Sequence, residues 1–168
     1  MLPSILVAGI GNIFHGDDSF GVEVIQQMAR SSLPGNVRLM DAGIRGVDLA
    51  FAMLDGYDAI ILIDAASQGG LPGTLYTMEL DPDELPDGAS LANSHGLDAA
   101  SVLSAAKNMG ARFGKVFLVG CEPLVLESEE GRIGLSDVVQ AAVRPAIETV
   151  QRLLQTLTLQ EVNANEFA

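Results

Sequence analysis

Three short stretches, "SILVAG" at 4–9, "AIILI" at 59–63 and "KVFLVG" at 115–120, are apolar without alternation. A strand with one wet face alternates apolar and polar residues, so unbroken runs require cover on both faces. A parallel sheet with helices above and below supplies that cover. After the first run, Val22, Ile25, Met28 and Ala29 recur at helical spacing until "LPGN" at 33–36 breaks the helix. The pattern then repeats: Val37 to Met40 reads as strand, Asp41 to Gly46 as loop, Val47 to Leu54 as helix and Asp58 to Ile63 as strand.

"TLYTMEL" follows the turn "SQGGLPG" too closely for a crossover helix, which predicts an antiparallel strand at an edge. Residues 81–94 carry two prolines and four acids among small polar residues and predict a mobile loop before a helix from Gly96 to Met109. Ser136 reads as the N-cap of a helix whose apolar stripe continues to Leu157, with a kink expected at Pro145. The expected fold is α/β and three-layer: a twisted, mostly parallel sheet of about five strands between helices, with one antiparallel edge strand. A single domain is expected over 1–157, with 158–168 as a frayed polar tail.

Charge and cysteine usage exclude several functions. Nine Lys and Arg against 22 Asp and Glu give a net charge of −13, which repels nucleic acid and anionic membranes. No apolar run approaches the roughly 20 residues of a membrane span, and no signal-like segment opens the chain, so a soluble, cytoplasmic protein is expected. One cysteine, Cys121, precludes an internal disulfide and reads as a small buried hydrophobe.

In an open parallel sheet, ligands bind in the crevice at the carboxyl ends of the strands. Asp17 and Asp18 follow the first strand, Asp41 ends the second, Asp64 ends the third, and Cys121 and Glu122 follow the fourth parallel strand. His95, at a helix start, can reach the same edge, and His15 already adjoins the aspartates. Two carboxylates and an imidazole, Asp18, Asp64 and His95, form a mixed O and N donor set suited to Ni, Zn, Fe or Co and leave positions open for water or substrate.

Other readings compete. Gly9 and Gly11 resemble a dinucleotide turn, but Phe14 stands at the third glycine position, and two aspartates occupy the helix N-terminus where pyrophosphate would lie. Asp17 or Asp18 could cap that helix, Asp64 could form a strand-end turn, His95 could be an ordinary helix N-terminal residue, and Asp41 could hold its own loop as an Asx turn. No "GxSxG" nucleophile elbow occurs.

Five stretches in order, "GIGNIFHGDDSFG", "DAGIRG", "ILIDAASQGG", "SHGLD" and "GCEP", resemble the maturation endopeptidases of nickel-iron hydrogenases over nearly the whole chain. The resemblance implies a sheet of about five strands between helices and an enzyme that trims the C-terminal extension of the hydrogenase large-subunit precursor after nickel insertion. It implies that Asp18, Asp64 and His95 contact the nickel, which arrives with the substrate, and that Asp41 lies near the peptide to be cut. These four residues are the expected catalytic set of an aspartate-dependent protease, with Asp17 orienting a ligand and the loop before His95 acting as a lid. Many relatives carry Glu where Asp18 stands, and "GT" where this chain has Gly43 and Ile44. The alternatives on the sequence are a nickel-binding hydrogenase chaperone without proteolysis and a dinucleotide-dependent oxidoreductase.

Overall fold

The computed structural model describes residues 1–85, 98–126 and 131–166. Within them, β1 (Ile5–Ile10), α1 (Phe20–Met28), β2 (Val37–Gly43), α2 (Gly46–Met53), β3 (Ala59–Ala65), β4 (Leu75–Leu80), α3 (Ala99–Asn108), β5 (Lys115–Cys121) and α4 (Asp137–Glu166) follow in that order. The strands form one five-stranded sheet in the order β2-β1-β3-β5-β4. β1 pairs parallel with β2 and β3, and β3 pairs parallel with β5. β4 closes one edge, antiparallel to β5, as the short "SQGGLPG" connection requires.

Alternation along the strands divides the core in two. Ile5, Val7, Ile61, Ile63, Val119 and Cys121 face α1 and α4, while Leu6, Ala8, Ile10, Ile60, Leu62 and Leu118 face α2 and α3. β1 and most of β3 are buried on both faces, which is why their sequences show no period of two. α1 packs closely on the ends of β1 and β3. A Cβ on Gly21 would lie 2.1 Å from the Ile63 carbonyl oxygen, so α1 rests its backbone directly on β3.

At the C-terminus the helix runs further than its apolar stripe. α4 continues through Pro145 and past Leu157 to Glu166, so the polar segment after 157 extends a helix. Gln155, Thr156, Gln160 and Asn163 are exposed while Leu154 and Leu157 stay buried, and the Thr158 hydroxyl donates to the Leu154 carbonyl. Pro145 lacks an N–H, but the carbonyl it fails to reach belongs to exposed Ala141, where water can satisfy it. Among the described residues no helix is long and apolar enough to cross a membrane.

Candidate active site

The parallel strands bring their carboxyl ends to one edge, where the β1–α1 connection makes the first wall. Gly11 adopts φ +140°, and a Cβ there would fall 1.7 Å from the Asp18 carbonyl oxygen, so the chain can double back only because this residue is glycine. The return places Asp18 where its Oδ2 accepts the Asn12 N–H at 2.9 Å. The Gly11 N–H donates to the Gly43 carbonyl and ties the turn to the end of β2.

The adjacent aspartates have opposite surroundings. Asp17 is wholly buried and accepts the N–H groups of Leu124 and Val125 at 2.8 Å and of Ser136 at 2.7 Å, plus the Ser136 hydroxyl at 2.9 Å. Burial alone would raise its pKa, but these four hydrogen bonds outweigh it and hold the carboxyl below its usual range. Asp17 therefore fastens the segment after β5 and the start of α4 to the glycine turn. The capping role weighed for it is absent, since neither residue preceding the local helical turns makes a side-chain cap bond. Ser136, expected as an N-cap, directs its hydroxyl to Asp17.

Asp64, one residue beyond Ile63 in β3, is 4% exposed, and its Oδ1 finds no hydrogen-bond partner among the described residues. Burial pushes its carboxyl well above the usual range; the nearby Asp18 charge adds to this, the Ala65 N–H offsets part, and Asp98 contributes further. Asp18 and Asp64 thus share one site at the ends of β1 and β3. Asp98 caps α3 through the Ser101 N–H at 2.7 Å and brings the start of that helix toward the same site. His95 lies outside the described residues, as does most of the proposed lid segment. Among the described residues no three His, Cys, Asp or Glu side chains are grouped to hold a metal ion.

Asp41 is not brought together with this pair. It lies beside Gly9 in β2, and its neighbours Met40 and Ala42 face α2 and α3, so alternation turns Asp41 toward α1. There its carboxylate accepts a long bond from Gln26 Nε2 at 3.4 Å, in place of the expected bond to its own loop. Its carbonyl accepts the Arg45 guanidinium, which shapes the loop into α2. Asp41 therefore borders the crevice from the other face of the sheet.

Sequence reasoning listed Glu122 at this edge without a role. It is buried, and its carboxylate accepts the Gln68 N–H at 2.7 Å, the Gly69 N–H at 3.3 Å and the Tyr76 hydroxyl at 2.8 Å. The Gln68 N–H leads in holding its pKa below the usual range despite burial. Glu122 thereby fixes the loop that leaves Asp64. Its position directly after a buried strand, in "GCEP", was the available signal. Cys121 is buried, and desolvation with the charges of Asp17 and Glu122 pushes its thiol up to about 12, so it is no thiolate ligand or nucleophile.

A family model described as HycI, hydrogenase maturation protease, matches residues 22–153. The hydrogenase 2 maturation protease of Escherichia coli is 38% identical over 156 residues, covering 90% of each chain. This chain belongs to the hydrogenase maturation protease family. The hydrogenase expression/formation protein HupD of Rhizobium leguminosarum bv. viciae is 37% identical to the protease over 157 residues, covering 92% of this chain and 75% of that one. The solved structure of the hydrogenase maturating endopeptidase HybD from E. coli superposes with a TM-score of 0.72 at 29% identity, covering 90% and 92%. The protease is thus a hydrolase with this α/β fold, and a non-proteolytic chaperone or an oxidoreductase is no longer needed to explain the glycine turn.

Proposed function

We propose that the protease removes the C-terminal extension of the nickel-iron hydrogenase large-subunit precursor after nickel insertion, and that Asp18, Asp64 and His95 read the nickel carried by that substrate. The observation that carries the proposal is Asp64: a buried carboxyl, beside a second carboxylate, with an oxygen that finds no partner among the described residues. Such an arrangement is costly in isolation, because each charge raises the price of ionising the other. A divalent cation held by Asp18 and Asp64 would offset both charges and favour the ionised form of Asp64.

His95 precedes Asp98 by three positions, and the α3 N-terminus already approaches this site, so an imidazole from that segment would complete a mixed oxygen and nitrogen donor set appropriate to nickel. Cleavage then depends on correct loading, because an empty precursor leaves the aspartates uncompensated. Asp41, bordering the crevice from the α1 side, is assigned to positioning the peptide or the attacking group.

The test is a mass measurement on nickel-loaded and empty large-subunit precursor incubated with the wild-type protease and with Asp18→Ala, Asp64→Ala and His95→Ala. Shortening of the loaded precursor by the wild type alone is expected. Wild-type processing by all three variants would remove the three-residue site, and equal cleavage of empty precursor would remove the dependence on nickel.

A further inference from the structure

The glycine turn does more than present Asp18. The Arg132 N–H donates to the Phe14 carbonyl at 2.9 Å, and the Gly16 N–H donates back to the Arg132 carbonyl at 2.8 Å, making a short parallel bridge between His15 and Arg132. The Asp17 N–H donates to the Val125 carbonyl at 2.8 Å, while its carboxylate holds the segment from the other side. Two stretches more than a hundred positions apart are thereby joined into one ledge next to the Asp18–Asp64 pair.

Among the described residues the ledge exposes mainly apolar side chains, alongside the exposed His15 and Arg132. Ile13 and Phe14 project from one segment and Leu124, Leu126 and Ile133 from the other; Phe14 is 57% and Ile133 81% exposed. Single exposed apolar residues are ordinary, but five grouped on a fastened backbone beside a reactive site mark a contact surface. Because hydrogen bonds already hold Phe14, Gly16 and Asp17 to Leu124, Val125 and Arg132, little ordering entropy is lost when a chain lies across these residues. The net charge of −13 disfavours both a second copy of this chain and an acidic segment as the occupant.

We propose that this ledge docks an apolar, non-acidic peptide segment of the substrate protein next to the bond that is cut. The proposal rests on the proteolytic reading given above. It also assigns Asp17 a purpose beyond stability: the same carboxylate sets the ledge and, through its neighbour Asp18, the distance from ledge to site.

The experiment measures KM and kcat for nickel-loaded precursor with Phe14→Ser/Ile133→Ser, with Phe14→Leu/Ile133→Leu, and with Phe51→Ser, an exposed apolar residue on α2 away from the ledge. The polar pair is expected to raise KM at least about tenfold with kcat within about twofold, as loss of uniform binding requires. The leucine pair restores KM, and Phe51→Ser leaves both constants unchanged. An unaltered KM in the polar pair, or the larger effect from Phe51→Ser, overturns the ledge. Sedimentation adds a second arm: a wild-type dimer that dissociates in the polar pair would make the ledge a self-association face and likewise overturn the proposal. Failure of the wild type to shorten the loaded precursor would instead count against the proteolytic reading itself.

Discussion

Asp17 and Ser136 meet across 119 positions of the chain: one carboxylate oxygen accepts the Ser136 N–H at 2.7 Å and the other its hydroxyl at 2.9 Å. With the N–H groups of Leu124 and Val125 on the same carboxylate, this junction joins the glycine turn, the segment after β5 and the start of α4. Replacing Asp17 by Ala leaves three N–H groups and the Ser136 hydroxyl without their acceptor and is expected to cost about 3 kcal/mol, read as a lower urea midpoint at pH 7. The sign with pH follows from its lowered pKa. The unfolded state binds the proton more tightly, so the stabilisation is present above the ordinary carboxylate pKa and fades as pH falls through the folded value. The gap between wild type and Asp17→Asn should therefore narrow on acidification.

Asp64 carries the opposite sign. Its raised pKa means that the folded state binds the proton more tightly, so its contribution favours folding at low pH and is lost as pH rises through the folded value. Asp64→Asn removes the ionisation and should melt at or above the wild-type temperature at pH 7, by about 3 °C per kcal/mol gained, while failing to process loaded precursor. A variant both less stable and inactive would point to a purely structural role.

Cys121, with its thiol pushed up to about 12, should resist iodoacetamide at pH 8 in the folded protein and react only after unfolding. Mass spectrometry with and without denaturant checks this. Cys121→Ala should retain kcat, which separates this protease from thiol-dependent hydrolysis.

Gly11→Ala tests the turn. A Cβ would meet the Asp18 carbonyl oxygen at 1.7 Å, and φ +140° is unsuited to an L side chain, so the turn must open. The expected loss is about 3 kcal/mol or more in chemical denaturation, with processing abolished even where folded protein is recovered.

Glu122→Leu should release the loop after β3. The Gln68 and Gly69 N–H groups and the Tyr76 hydroxyl lose their common acceptor. Hydrogen exchange at Gln68 and Gly69 is expected to accelerate while β1 and β3 amides keep their protection.

Runs such as "SILVAG" and "AIILI" determined the parallel sheet by themselves, because a strand covered on both faces has no polar side to write into its sequence. The short "SQGGLPG" connection likewise determined the antiparallel β4, and the order of the glycine turn, "DAGIRG" and "ILIDAASQGG" determined which acids reach the carboxyl edge. Local sequence could not separate Asp17 from Asp18, since what distinguishes them is a set of donors at 124, 125 and 136. Nor could it separate Asp41 from Asp64, which alternation turns to different faces of the sheet. Burial, long-range hydrogen bonding and mutual charge are properties of the assembled fold. Tertiary structure alone decided that Asp17 is a structural fastener, that Asp64 is a buried acid beside Asp18, and that Glu122 holds the loop between them and β4.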